Sequence, residues 1–217
     1  MTLQTFPYPD TLIIVFAREP LSGQVKTRLI PTLGKDGATE LYRRLLDYTV
    51  ENAIAAALSP VNICITPESG TIYFTQMSCA EQFEISMQTG DDLGARMYNA
   101  LASGLQQYSK VILIGTDCPF LGKGDFQQAI KSLDANDIVF SPAIDGGYVL
   151  IGAKKVSPDI FANIDWGTDR VMAQSRQALS DNDFCWRELS QQCDIDVKED
   201  LKYLSLHNEF KGLLSIK

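Results

Sequence analysis

The sequence predicts an α/β protein, a single domain over residues 1–217 built on a doubly wound, mostly parallel sheet with one antiparallel strand. Three observations lead there. Short apolar runs rich in β-branched residues, such as Val111-Ile112-Leu113-Ile114, lack the polar alternation of half-exposed strands and fit strands buried on both faces. Stretches with apolar residues at helical spacing separate these runs. Late in the chain, Asp145-Gly146-Gly147 stands between two strand-like runs, a two-glycine turn that predicts a hairpin and so one reversed strand. With 217 residues, 45% hydrophobic and 21% charged, the chain is large enough for one sizeable core, and it shows no repeat, low-complexity tract or linker.

Residues 11–17, TLIIVFA, form the first buried strand, followed by a polar loop from Arg18 to Arg28 that ends near Pro31. Residues 37–58 predict a helix, with Leu41, Leu45, Tyr48 and Ala55 on one face. The second strand is 61–66, closed by Pro67; 71–83 is read as a helix and 84–88 as a short strand. Residues 91–108 predict a helix with Asp91 and Asp92 in its first turn, where the helix dipole favours acids. A strand over 110–117, a helix over 124–133 and a strand over 137–143 come next. The turn at Asp145 leads into a strand over 148–153, then a loop around 163–167 and a helix over 168–179. A short strand at 185–189 and a helix over 197–208, opened by Asp194-Ile195-Asp196, complete the chain.

A net charge of −8 argues against general nucleic-acid binding or an anionic membrane surface as partner. No apolar run approaches the roughly 18 residues of a membrane span. The first ten residues, MTLQTFPYPD, lack the basic and apolar regions of a signal peptide, so the expected location is the cytoplasm. Nothing in the sequence marks an oligomeric state. The five cysteines, Cys64, Cys79, Cys118, Cys185 and Cys193, make no CxxC pair and no secreted disulfide framework. Cys64 reads as a core residue, and Cys118 has no histidine nearby to activate it. The single histidine, His207, argues against a His-dependent triad or a multi-His zinc site.

Ligands of open α/β sheets gather beyond the carboxyl ends of the strands. Asp117, at the end of KVILIGTDCPF, therefore has two readings, a metal ligand or catalytic acid and a simple turn cap. The loop after the first strand concentrates Arg18, Lys26 and Arg28 around Gly23. Arginine offers a planar fork to phosphate oxygens, lysine a mobile point charge, and glycine close backbone approach. A solvated basic loop is the competing reading. The loop matches neither GxxxxGK[ST] nor GxGxxG.

Six segments occur in order: Arg18-Glu19-Pro20 with Lys26-Thr27-Arg28-Leu29, then Gly90-Asp91-Asp92-Leu93-Gly94-Ala95-Arg96-Met97, Gly115-Thr116-Asp117-Cys118-Pro119, Asp145-Gly146-Gly147-Tyr148, Trp166-Gly167-Thr168 and Asp194-Ile195-Asp196. Together they resemble a bacterial family of uncharacterised glycosyltransferase-like proteins with the nucleotide-diphospho-sugar transferase (GT-A) fold. More distantly they resemble the phospholactate and molybdenum-cofactor guanylyltransferases. The resemblance implies a nucleotide lying over the first strand–loop–helix unit, against Ala17, Arg18, Gly23, Lys26 and Arg28, with Gly94, Arg96 and Thr116 on the same side. It implies Mg²⁺ or Mn²⁺ at Asp117, with Asp196 and Asp194 as helpers. For the last two, helix capping is the competing reading. It also assigns Gly146, Gly147, Tyr148, Trp166 and Thr168 to the acceptor or sugar side. There a buried core tryptophan competes with a stacking one, and a tight turn accounts for the glycines. Gly94 inside a helix costs up to ~1 kcal/mol relative to alanine, which fits a site where backbone or ligand passes close. Arg96 faces either the nucleotide or an acidic partner on the surface. The LAGGxSxRxG signature of the molybdenum-cofactor enzymes is absent, and Ala17-Arg18-Glu19-Pro20 stands in its place.

The expected function is metal-dependent transfer involving a nucleotide or nucleotide-sugar, specifically glycosyl transfer from a nucleotide-sugar to a small-molecule acceptor. Lys26 and Arg28 offset developing charge, and Asp145 is a candidate base for glycosyl transfer. Nucleotidyl transfer with release of pyrophosphate is the alternative, and a nucleotide-binding protein without turnover is a third.

Overall fold

The computed structural model describes residues 5–66, 70–204 and 210. Pro67, His207 and the end of the helix expected over 197–208 lie outside the described residues. Seven strands make one sheet: β1 (Thr11–Ala17), β2 (Val61–Ile65), β3 (Glu84–Met87), β4 (Lys110–Ile114), β5 (Ile138–Pro142), β6 (Tyr148–Ala153) and β7 (Trp186–Glu188). Their order is β3-β2-β1-β4-β6-β5-β7. β6 runs antiparallel to both β4 and β5, and every other pairing is parallel. This is the expected sheet with its one reversed strand.

The central strands are apolar throughout because both faces are covered. Ile13, Val15, Ile63, Ile65, Ile112 and Ile114 pack on one side with Leu46, Val50, Phe126 and Ile130. These last four belong to α1 (Ile30–Ala55) and α4 (Lys123–Ser132). The alternate positions Ile14, Cys64, Val111, Leu113 and Ile151 face Met97, Leu101, Met172 and Leu179 on the other side. Those come from α3 (Leu93–Gly104) and α5 (Val171–Asp181). The period-two alternation of β1 thus divides one strand between two cores.

Several boundaries differ from expectation, the largest for local reasons. The helix expected from residue 37 begins at Ile30, because Pro31 sits in its first turn, where a missing N–H costs nothing, rather than ending the loop. Gly34, at φ 72 and ψ 170, then kinks the chain before the main helix runs on. The helix expected over 71–83 is two separate turns, α2 (Ile72–Thr75) and a 3-10 turn at Ala80–Gln82. Ile72 is 66% exposed while Phe74 is buried, so no apolar stripe sustains a longer helix. Asp92 lies before α3 as its N-cap, its carboxylate accepting from Ala95 N at 2.7 Å. At the end, a 3-10 turn at Lys198–Asp200 leads into α6 (Leu201–Leu204).

The edge strand β7 is tied to α5 by Arg176, whose Nε and Nη2 donate to the two oxygens of Glu188 at 2.7 and 2.8 Å. Hydrogen bonds from Arg176 hold the Glu188 carboxyl below its usual range. A depressed folded value means the pair's stabilisation is present above the ordinary glutamate pKa and lost as pH falls through the folded one. Glu188→Gln is expected to remove that acid-side loss and to cost at most about 1 kcal/mol at neutral pH, since the pair is partly exposed. Urea unfolding of both proteins between pH 3 and 7 checks this.

Candidate functional site

β1 to β4 run in the same direction, and their carboxyl ends share one edge of the sheet, where β6 begins. A cleft of about 350 Å³ opens there, lined by Ala17 at the end of β1, Arg18, Lys26 and Arg28 in the following loop, Thr116 and Asp117 after β4, and Asp196. β4 ends at Ile114, so Gly115, Thr116 and Asp117 lie in the connection beyond it rather than in the strand.

Lys26 is the centre of this cleft. Its side chain is 3% exposed, and its ammonium lies 2.6 Å from Asp117 Oδ1 and 3.0 Å from Asp196 Oδ1. Arg28 Nη1 donates to the other oxygen of Asp196 at 3.1 Å. Burial alone would lower the pKa of Lys26, but Asp117 and then Asp196 outweigh it and the pKa is raised, so the lysine is charged. Lys26 holds φ 46 and ψ 43, a left-handed backbone that few non-glycine residues adopt. That conformation aims the side chain inward just before the 3-10 turn at Thr27–Leu29.

Asp196 arrives by its own route. Ile195 N donates to Asp117 O at 2.9 Å, and the Ile195 side chain is fully buried with Leu29, Leu41, Leu45 and Leu201. This plug fixes Asp194 and Asp196 on either side of it. Asp196 does not cap the following turn. Its backbone N–H and that of Val197 donate to Asp200 Oδ2 at 2.9 and 2.8 Å, which leaves the Asp196 carboxylate to the two cations. Asp194 makes no ion pair among the described residues. Burial first, and then the charge of Asp145, push its carboxyl up to about 6.

Tyr42 of α1, which the sequence did not single out, joins the two halves of the cleft. Its hydroxyl donates to Arg18 O at 3.2 Å and accepts from Arg18 N at 3.1 Å and from Thr116 Oγ1 at 3.4 Å. Gln88, also buried and lining the cleft, donates to Cys64 O at 2.9 Å and Ala17 O at 3.4 Å, holding the ends of β1 and β2 together. In sequence a helix-face tyrosine looks like any core residue, and only the polar residue Gln88 after a strand offered a signal.

The other expected residues divide. Gly23 sits in a turn at φ 77, covered by the Lys35 stem 3.6 Å from where a Cβ would stand. The space beside Gly94 is taken by Trp166, whose Nε1 would lie 2.7 Å from an added Cβ, so an indole is what passes close to that helix. Trp166 meets Tyr148 edge-on at 6.3 Å, and Tyr148 packs on Phe140 at 4.7 Å with its hydroxyl on Met97 Sδ. These aromatics brace the β5–β6 turn, and neither Tyr148 nor Trp166 lines the cleft. Arg96 Nε donates to Gly90 O at 3.1 Å, across the turn before α3. Thr168 donates to Asp165 O and accepts from Arg170 N, shaping its own loop. Asp145 Oδ1 accepts from Gly147 N at 2.9 Å. Gly146, at φ 93, presses against the backbone at Asp169 so closely that a Cβ would lie 2.3 Å from its carbonyl oxygen. Cys118 is buried, and burial pushes its thiol up to about 12, in keeping with an unreactive residue.

Among the described residues no group of three or more His, Cys, Asp or Glu side chains is arranged to hold a metal. Asp117 and Asp196 make a pair of hard oxygen donors that already converge on one cation, the Lys26 ammonium. That donor set fits Mg²⁺ or Mn²⁺ completed by substrate phosphates, because Mg²⁺ sites commonly use one or two carboxylates and leave the remaining positions to substrate and water. No described helix is long and apolar enough to cross a membrane.

Residues 49–168 match the family DUF2064, described as an uncharacterized protein conserved in bacteria. Over 123 residues the chain is 27% identical to the 2-phospho-L-lactate guanylyltransferase of Methanothermobacter thermautotrophicus, a match covering 56% of this chain and 53% of that enzyme. The chain thus spans about half the length of this curated relative. A protein of Desulfovibrio desulfuricans G20, described as a candidate nucleotide-diphospho-sugar transferase, superposes with a TM-score of 0.86 at 30% identity, covering 95% of this chain and 94% of that one. A Mycobacterium tuberculosis H37Rv protein solved in complex with manganese shares the fold, with a TM-score of 0.56 at 17% identity over 95% of this chain and all of that one, 100%. The fold is that of the nucleotide-diphospho-sugar transferases, and the relatives are transferases of the nucleotidyl and glycosyl kind.

Tyr42→Phe removes one hydroxyl and leaves the Arg18 backbone and Thr116 without that partner in a buried place. A loss of about 1–3 kcal/mol of stability is expected. Chemical denaturation measures it, and a change under about 0.5 kcal/mol would show that the hydroxyl does not couple the two strand ends.

Proposed function

Taking as premise that the chain belongs to the bacterial family DUF2064, we propose that it transfers a glycosyl group from a nucleotide-sugar to a small-molecule acceptor, with Mg²⁺ or Mn²⁺, as one domain over residues 1–217. The observation that carries this reading is the convergence of Lys26, Arg28, Asp117 and Asp196 in the cleft at the carboxyl edge of the parallel strands. Asp117 and Asp196 would hold the metal, with Asp194 beside them. When bound, it would neutralise diphosphate charge and stabilise the leaving group. Arg18, Lys26 and Arg28 bind the phosphates, Ala17 and Thr116 border the nucleotide, and the turns at Gly23 and at Gly94–Arg96 flank it. On the other side, the turn at Asp145, Gly146 and Gly147 meets the acceptor, braced by Tyr148, Trp166 and Thr168. Asp145 keeps one carboxylate oxygen free of hydrogen bonds among the described residues. It takes the proton of the acceptor hydroxyl as that oxygen bonds to the anomeric carbon, and the nucleoside diphosphate departs with the bonding electrons.

Nucleotidyl transfer is the second reading. The guanylyltransferase relative favours it, and so does the supply of three cations, which suits a triphosphate. A thermal-shift panel of nucleoside triphosphates and nucleotide-sugars, with and without Mn²⁺, separates the two. Glycosyl transfer predicts stabilisation by a nucleotide-sugar and not by triphosphates, and the reverse pattern overturns it. Asp117→Asn is expected to weaken Mn²⁺-linked nucleotide binding by at least about tenfold and to abolish turnover. Unchanged affinity by calorimetry would remove Asp117 from the metal site.

A further inference from the structure

Of the four carboxylate oxygens of Asp117 and Asp196, three already meet a cation of this chain. Asp117 Oδ1 and Asp196 Oδ1 both meet the Lys26 ammonium, at 2.6 and 3.0 Å, and Asp196 Oδ2 meets Arg28. The lysine side chain is 3% exposed, while that of Arg28 is 62% exposed. The seat between the two acids therefore holds one cation, and the protein fills it with its own side chain. A divalent ion bound by the same two carboxylates would lie within a few ångströms of that buried ammonium, and like charges so close repel.

We propose that Lys26 and the divalent cation are alternative occupants of this one seat. The lysine arm withdraws as the metal enters, and its ammonium moves to phosphate oxygens of the nucleotide in the same cleft. The four-carbon stem of lysine allows such a swing without backbone movement. Arg18 and Arg28 line the cleft it would enter, so anionic oxygens drawn there give the displaced charge a new partner. Metal alone then binds weakly, because it must uncover a charge with nowhere to go. Metal with nucleotide binds well, and the two load together. In the metal-free protein Lys26 keeps the acids paired and in place. This rests on the reading that Asp117 and Asp196 are the metal ligands.

Mn²⁺ without nucleotide is the probe, followed by the electron paramagnetic resonance of the free ion. Lys26→Met is expected to bind Mn²⁺ at least about tenfold more tightly than the unaltered protein, the size of effect that a neighbouring like charge produces. Equal or weaker binding overturns the exchange. On the unaltered protein, acetic anhydride labelling read by mass spectrometry is expected to spare Lys26 without metal and to modify it severalfold faster at saturating Mn²⁺. Continued protection under saturation overturns the exchange even if Lys26→Met does not fold. Absence of Mn²⁺ binding in both proteins overturns it as well, while stabilisation by nucleotide-sugars without metal would leave the transferase reading standing.

Discussion

A buried ammonium shared by two carboxylates is the constraint on which the arrangement of this protein depends. Lys26 follows β1, Asp117 follows β4, and Asp196 comes from the segment before α6, so three distant parts of the chain meet at one charge. Taking the Lys26 ammonium out of water is expensive, and the cost is offset only when it finds its partners in good geometry. Much of the surrounding structure serves that geometry. The left-handed backbone at Lys26 turns its side chain inward, Ile195 anchors the acidic segment in a hydrophobic cluster, and the Ile195 N–H ties that segment to the Asp117 carbonyl. Removing both carboxylates would leave the buried Lys26 ammonium unpaired, which is a far larger penalty than the net worth of the intact set.

The polar scaffold continues outward through uncharged groups. Tyr42 links the chain after β1 to the chain after β4 through a single hydroxyl, and Gln88 clamps the carbonyls at the ends of β1 and β2. Tyr42 reaches the Arg18 carbonyl just past β1, and Gln88 reaches the carbonyls of Ala17 and Cys64 in the last residues of β1 and β2, where buried polar groups need partners. The cleft floor is therefore held by side chains from α1 and from the β3 end as well as by the sheet.

Strand positions, the reversed β6 and the grouping of Arg18, Lys26, Arg28 and Asp117 at one edge were legible in the sequence. They depend on periodicity and on the rule that parallel strands present their carboxyl ends together. The contacts that give these residues meaning were not legible. Lys26 and Asp196 lie 170 positions apart, and no local pattern reports a pairing at that distance. Gly94 shows the opposite case. Its presence in a helix signalled a close approach, correctly, but only the folded chain reveals that the approaching group is Trp166. Residues 71–83 misled because scattered apolar residues there look helical, although they alternate between buried and exposed without a stripe.

The reversal of β6 has a steric consequence. A strand parallel to β4 at this position would have required a crossover of a dozen or more residues, usually a helix packed on a face of the sheet. The antiparallel connection from β5 needs only the tight turn around Asp145 and Gly146, which lies low against the backbone at Asp169. Strand direction at β6 thus decides that a short turn, and not a crossover helix, joins β5 to β6 at this end of the sheet.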